Sequence, residues 1–201
     1  IQDVLVSVLS DKCLHIPELD GGARVLPAAR GVNVIATANL RDRGVNEMSS
    51  ALKRRFNFET VQPIADRDLE MRLVREQTEK LLRENEIAPN MGDDALELLV
   101  TTFQDLRQGR TAEGAPVEKP SSVMSTAEAV AVSVSSCLDA HYFGGGEVNG
   151  EHIIRQIAGT VFKDEPEDAK KLEHYINVIA KSRAKRGGSW KEFYNSRDQL
   201  K

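Results

Sequence analysis

The stretch GVNVIATANLRDRG, residues 31–44, decides how the N-terminal part of the sequence is interpreted. Its first half, from Val32 to Ala36, is mostly apolar with β-branched residues and is interrupted only by Asn33, which predicts a short central strand of a parallel sheet. Asn39 follows the end of this strand, where ligands bind in open parallel sheets. Its amide can orient a water molecule or contact a phosphate. An asparagine that hydrogen-bonds its own turn is an equally good interpretation of the position.

The flanking residues extend this α/β pattern up to Pro63. Apolar residues at helical spacing predict a helix at the start of the chain. Two short apolar runs on either side of Asp20-Gly21-Gly22 predict a β-hairpin. The elements predicted before Pro63 are a helix over 1–11, strands over 13–16, 24–26 and 32–36, a helix over 47–53 and a strand over 56–60.

After Pro63 the pattern predicts helices only. Asp66, Gly92 and Ser125 precede long apolar stripes, and Asn149 precedes a shorter one, so each is expected to start a helix. A last long helix carries an apolar stripe from Leu172 to Ile179. Acidic residues on these helices are assigned to solvated faces. The predicted domains are an α/β portion over 1–63, a helical domain over 64–184 and a basic, then aromatic tail over 185–201.

Composition excludes some classes of protein and weakens others. A hydrophobic content of 40% excludes wholesale disorder, and no apolar run is long enough to span a bilayer. The net charge of −4 argues against general nucleic-acid binding. Cys13 and Cys137 fit no metal or redox spacing, so they are expected to be buried thiols in a reducing cytoplasm. The four histidines also lack ligand spacing, and no metal site is predicted.

Arg54 and Arg55 follow the predicted helix over 47–53 and precede an aromatic residue. A solvated surface pair is the simpler interpretation of adjacent arginines. The alternative is that one of them contacts a phosphate, for which a planar and permanently charged guanidinium is well suited.

Two short motifs together resemble a known family. Ala36-Thr37-Ala38-Asn39 is similar to the sensor-one motif of AAA+ ATPases, and Ala51-Leu52-Lys53-Arg54-Arg55-Phe56 is similar to the helix end that carries their arginine finger. The order and spacing of the motifs, the hairpin before them and the later GGEVNGEHI resemble the MoxR-like branch. The resemblance covers residues 1 to about 160.

This resemblance implies a fold, cofactors and roles for the site residues. The fold would be an α/β fragment of a P-loop AAA+ core, with its sensor-one strand, followed by an all-α helical lid. Asn39 would position the attacking water or contact the terminal phosphate of ATP, which is bound with Mg²⁺. Arg55 would be the arginine finger that acts on the neighbouring subunit's nucleotide, and Arg54 would support or replace it. These residues would serve both catalysis and nucleotide binding.

The resemblance also implies partners. MoxR-like ATPases form rings, commonly hexamers, and act as chaperones that remodel or activate client proteins. Their partners commonly contain a von Willebrand factor A-type domain. Two alternatives stay open: a DNA-processing AAA+ motor, and a non-catalytic helical interaction module.

The sequence departs from the family pattern at the phosphate-binding elements. It contains no Gly-x-x-x-x-Gly-Lys-Ser/Thr loop and no apolar strand ending in Asp-Glu. The family would place both just before Ile1, so a truncated chain that is inactive alone is expected. MoxR-like relatives carry an arginine, called sensor two, at the start of the third lid helix. The corresponding stretch PSSVMSTAEA has no arginine, and Lys119 is the nearest cation.

Overall fold

The computed structural model describes residues 2–19, 24–38, 48–121, 124–161 and 166–200. The chain divides into two compact units, Ile1–Val61 and Gln62–Lys201. The first holds short helices and a two-stranded sheet, and the second is helical. This arrangement agrees with the predicted fold class of an α/β core fragment followed by a helical lid.

The first unit begins with helix α1 (Gln2–Asp11), as the apolar spacing predicted. The hairpin is also confirmed: strands β1 (Cys13–His15) and β2 (Val25–Pro27) pair antiparallel. In their register Leu14 lies opposite Leu26. The turn around Asp20 lies outside the described residues.

Two predicted strands are not formed in the described part of the chain. Residues 32–38 have no regular secondary structure, and the side chain of Ile35 is 89% exposed. Residues 57–61 are likewise irregular and exposed. A strand exists only when a neighbouring strand satisfies its backbone groups, and no described segment pairs with either run. The short helix of this unit, α2 (Ser50–Lys53), begins later than predicted, and Glu47 lies outside the described residues.

The second unit is built from helices that begin where the capping residues predicted. Asp66 accepts a hydrogen bond from the Leu69 amide, Ser125 forms a reciprocal capping box with Glu128, and Asn149 accepts from two amides of the next turn. The long helices of this unit are α3 (Arg67–Glu84), α4 (Asp93–Gln108), α5 (Thr126–Phe143) and α6 (Gly150–Val161).

The C-terminal part is a chain of shorter helical segments. In order, they are α7 (Pro166–Tyr175), a π-helical turn (Ile176–Ala180), α8 (Lys181–Arg183), a 3₁₀ turn (Ala184–Arg186), α9 (Gly188–Asn195) and a second 3₁₀ turn (Arg197–Leu200). The compact second unit includes this region, where Trp190 and Phe193 of α9 are buried.

The hydrophobic core of the second unit lies between α3, α4, α5, α6 and α9. Gly150 lets α6 and α9 approach backbone to backbone, because a Cβ at this position would lie 2.0 Å from the Ser189 carbonyl oxygen.

The prediction that helical acids lie on solvated faces is wrong for four residues that are buried: Glu70, Asp105, Asp139 and Asp168. Each is buried together with hydrogen-bond donors that satisfy it.

Candidate functional site

The arginine pair follows the short helix α2 of the first unit. The Ser49 hydroxyl caps this helix by accepting a hydrogen bond from the Leu52 amide. Leu52 is buried, whereas Arg54 and Arg55 are exposed just beyond the last helical residue. Burial of Leu52 anchors the helix end, and the chain then directs both arginines towards solvent.

Two hydrogen bonds orient the Arg55 guanidinium. Its Nε donates to the Ser10 hydroxyl oxygen at 2.5 Å, and its Nη1 donates to the Ala51 carbonyl oxygen at 2.6 Å. The side chain therefore connects the end of α1 to α2. Its Nη2 has no hydrogen bond with any described residue, so one edge of the planar fork stays available for an anion.

Arg54 differs from its neighbour in that no described residue fixes its side chain. It is exposed and makes no hydrogen bond or ion pair with another described residue. The pair thus combines one oriented guanidinium and one guanidinium without a described partner on consecutive residues. Both can donate to phosphoryl or carboxylate oxygens.

Asn39 lies outside the described residues, so its predicted role stays a prediction. The three residues before it, Ala36, Thr37 and Ala38, are exposed and have no regular structure. Of the three predicted site residues, the described chain brings only Arg54 and Arg55 together.

The predicted absence of a sensor-two arginine concerns the start of α5. Here Thr126 donates to the Glu70 carboxylate at 2.7 Å. The nearby Arg107 guanidinium donates to the Met124 carbonyl oxygen at 2.9 Å and is paired with Glu70. Lys119 is exposed, and its aliphatic stem covers Gly109. In the described residues the start of α5 is therefore satisfied by side chains of its own unit.

A second charged cluster, which sequence reasoning missed, connects α4 to the C-terminal helices. The Arg183 Nη1 donates to the Asp105 carboxylate at 2.6 Å, and the Tyr175 hydroxyl donates to the same oxygen at 2.9 Å. Arg183 Nη2 donates to Glu113 at 3.1 Å, and its Cζ lies 4.9 Å from the centre of the Trp190 ring. The basic run around Arg183 was a visible signal, but its acidic partners are far away in sequence.

The environment shifts the pKa values of the two acids in opposite directions. Burial raises the pKa of Asp105, and its hydrogen bonds with Arg183 and Tyr175 only partly offset this. Hydrogen bonds from its own backbone N–H and from Thr111, together with Arg183, lower the pKa of Glu113 to about 2.

Burial raises the pKa of the Cys137 thiol to about 11, so this cysteine is an inert core residue. Cys13, predicted to be buried, is only half-buried.

The described residues contain neither a metal-binding cluster nor a membrane-spanning helix. No three His, Cys, Asp or Glu side chains among them converge in a way that could hold a metal ion. None of the described helices combines the length and apolar character needed to cross a membrane.

Comparison with known proteins identifies the family of both parts. Residues 68–201 match the YehL-like AAA+ ATPase C-terminal domain, and residues 1–56 match the AAA domain of the dynein-related subfamily. The chain is 41% identical over 200 residues to the Escherichia coli (strain K12) protein "Uncharacterized protein YehL". The match includes 100% of this chain and 54% of that protein, so the chain spans about half the length of this relative. No solved structure matches.

These matches confirm the expected AAA+ family. Neither of them identifies the MoxR-like branch within that family. The helical match begins within α3 and continues to the end of the chain, so it covers most of the second unit. The first match ends on Phe56, directly after the arginine pair. The chain therefore belongs to the YehL-like AAA+ ATPases.

Proposed function

We propose that this chain is part of an ATPase that uses ATP hydrolysis to remodel a client protein within a ring of identical subunits. The observation that carries this proposal is the arginine pair at the end of α2, inside the AAA match. Arg55 is exposed and oriented by Ser10 and Ala51, and no described residue hydrogen-bonds its Nη2. We assign it as the finger that acts on the nucleotide of the neighbouring subunit.

The guanidinium donors of Arg54 and Arg55 suit the part of a nucleotide site that contacts the phosphates from a neighbouring subunit. Guanidinium groups suit phosphoryl oxygens, because their donors are planar and keep their charge at any physiological pH. This chain's sequence has no phosphate-gripping loop or Asp-Glu strand end, so other residues would hold most of the ATP and Mg²⁺. The ion would neutralise phosphate charge. Asn39, as sensor one, would orient water without adding charge.

The finer assignment rests on resemblance to the MoxR-like branch. AAA+ ATPases generally form rings, and we propose a hexamer with chaperone activity and a von Willebrand factor A-type partner. We propose the cytoplasm as its location, because both cysteines are free thiols.

Mixed rings of the full-length protein test action between subunits. We expect Arg55→Ala to leave ATP binding nearly intact while hydrolysis falls by roughly a thousandfold, the scale of arginine fingers. Subunits with Arg55→Ala retain their phosphate loop, and loop-mutant subunits retain Arg55. Mixing the two should therefore restore part of the activity. Lys53→Ala is the matched control, because it removes an exposed cation from the same helix.

Three results would contradict parts of this proposal. If hydrolysis does not recover at any mixing ratio, in rings confirmed by sedimentation, Arg55 does not act between subunits. If Arg54→Ala alone reduces hydrolysis by as much as Arg55→Ala does, Arg54 is the arginine finger instead. If neither substitution affects hydrolysis, the chain is a helical interaction module rather than a part of the catalytic site.

A further inference from the structure

A cavity of about 190 Å³ lies beside the 3₁₀ turn that follows α8. One wall is the loop after α4, with Thr111 and Glu113, and the other wall carries Ser182, Arg183 and Arg186. The cavity lies wholly within the second unit. Two arginines and two hydroxyl groups give it more donors than acceptors.

The two guanidinium groups of the cavity differ in mobility. Arg183 is held rigidly, because its Nη1 binds Asp105 and Tyr175 and its plane lies against Trp190. Its Nη2 is directed to the cavity side, where it donates to Glu113 at 3.1 Å. Arg186 is 69% exposed and approaches the other Glu113 oxygen only to 4.0 Å. One arginine is therefore preorganised, and the other can move onto a ligand.

The segment that contributes Arg183 and Arg186 to the cavity is rich in cations. Residues 181–191 contain five cations and no acid, in a chain whose net charge is −4. Lys181, Lys185 and Lys191 are exposed and form no ion pair with any described residue. Such a cluster attracts negatively charged partners and raises their association rate.

Glu113 occupies the cavity as an exposed carboxylate that accepts hydrogen bonds from its own backbone N–H, Thr111 and Arg183. Its side chain is 57% exposed, so it can leave the arginines without entering an apolar environment. Hydrogen bonds lower its pKa from 4.5 to about 2, so the carboxylate stays ionised even in mildly acidic solution. Its position demonstrates that a carboxylate fits between Arg183 and Arg186.

We propose that this cavity binds an acidic side chain from an acidic segment of another protein, and that Glu113 holds the place of that side chain in the free protein. The incoming carboxylate pairs with the Arg183 and Arg186 guanidinium groups. Neighbouring acids of the same segment pair with Lys181 and Lys185. This site is separate from ATP turnover, and its test needs no nucleotide.

The structure favours a protein segment over a nucleic acid. Proteins that bind single-stranded nucleic acids stack bases on exposed aromatic rings. The aromatic residues closest in sequence to this basic cluster, Trp190 and Phe193, are buried at 4% and 0% exposure.

A titration of the 201-residue chain with a labelled hexaglutamate peptide tests the proposal. Trp190 is the chain's one tryptophan and contacts Arg183, so its fluorescence reports on the cavity, while peptide anisotropy reports binding directly. Glu113→Gln should tighten binding by about tenfold, because it removes the intramolecular competitor. Arg186→Gln should weaken it by about tenfold or more.

The matched control is Arg83→Gln on α3, since Arg83 is 67% exposed and Arg186 is 69% exposed. We expect the Arg83→Gln variant to bind hexaglutamate with the affinity of the wild type. A hexaglutamine peptide should not bind the wild type. Absence of saturable binding by both the wild type and Glu113→Gln overturns the proposal. So does equal affinity of Arg186→Gln and the wild type. If a short single-stranded RNA binds more tightly than hexaglutamate with the same dependence on Arg186, the cluster is a nucleic-acid surface instead.

Discussion

Arg107 of α4 donates a hydrogen bond to the Glu70 carboxylate of α3 at 2.6 Å, and the side chains are only 8% and 0% exposed. The same carboxylate accepts from Gln104 and Thr126. Arg107 also donates to the backbone carbonyl oxygens of Met124 and Ile64. One ion pair therefore connects α3 and α4 to the start of α5 and to the segment before α3.

Removing one partner of this pair should strongly destabilise the second unit. Arg107→Ala leaves Glu70 buried without its cation, which typically costs about 3–5 kcal/mol in free energy of unfolding. Urea unfolding followed by Trp190 fluorescence measures the loss in this unit. The control is Arg83→Ala, whose exposed pair with Glu79 should contribute less than about 0.5 kcal/mol. Equal losses for the two variants would contradict the importance of the buried pair.

Two glycines of α6 should respond to alanine in opposite directions. At Gly150 the new Cβ would lie 2.0 Å from the Ser189 oxygen and 2.4 Å from the Phe193 nitrogen, so the helices must separate. We expect Gly150→Ala to cost about 1–3 kcal/mol or more. At Gly159 no atom lies within 4 Å, and alanine should stabilise the helix by up to about 1 kcal/mol. Thermal unfolding of both variants measures the contrast, and a stable Gly150→Ala would contradict the close approach.

Glu113 should give the second unit a pH-dependent stabilisation. Its folded pKa of about 2 lies below the ordinary value of 4.5, so the native state favours the ionised form. The resulting stability is present above pH 4.5 and is lost as the pH falls towards about 2. The difference in unfolding free energy between wild type and Glu113→Gln should therefore shrink across this window. A difference that does not change with pH would exclude the hydrogen bonds that the ionised Glu113 accepts from its own backbone N–H, Thr111 and Arg183.

Asp105 should show the opposite slope. Burial raises its pKa, so the native state retains this proton to higher pH than the unfolded state does. Its contribution is fully present at low pH and decreases as the pH rises through the folded pKa. Urea unfolding of Asp105→Asn against wild type over the same pH series measures this slope. A difference that grows with rising pH would contradict the effect of burial.

The amide of Asn39 should affect hydrolysis more than binding. In the proposed sensor-one role, Asn39 supplies one uncharged donor near the terminal phosphate, so Asn39→Ala in the full-length protein should slow hydrolysis roughly ten- to a thousandfold. ATP affinity should change little, and a steady-state ATPase assay with a binding titration separates the two. An unchanged rate would make Asn39 a turn residue.

Helix starts could be predicted from sequence because capping is local. Asp66 and Ser125 bond to amides three residues ahead, so a short window contains both partners. The prediction of a strand over residues 32–36 was wrong because strand formation, unlike capping, is not local. Strand pairing depends on distant segments, and an apolar β-branched run alone does not supply a partner.

The buried charges escaped sequence reasoning for a similar cause. Glu70 and Arg107 are 37 residues apart, and Asp105 and Arg183 are 78 residues apart. On a single helix each acid has the pattern of a solvated face. Only the packing of α4 against its neighbours places the matching cations beside them. The short AAA+ motifs, by contrast, were local enough to indicate the family.

The π-helical turn acts as a one-residue spacer in the path from α7 to α8. Its wider loop, closed by the Lys181 amide on the Ile176 carbonyl oxygen, absorbs one extra residue before Arg183. Deleting the half-exposed Val178 would therefore return the turn to regular α-helical spacing and keep Arg183 directed towards Asp105. Val178→Thr keeps the count and should also be tolerated. At this position the protein can lose a residue without losing the ion pair that follows.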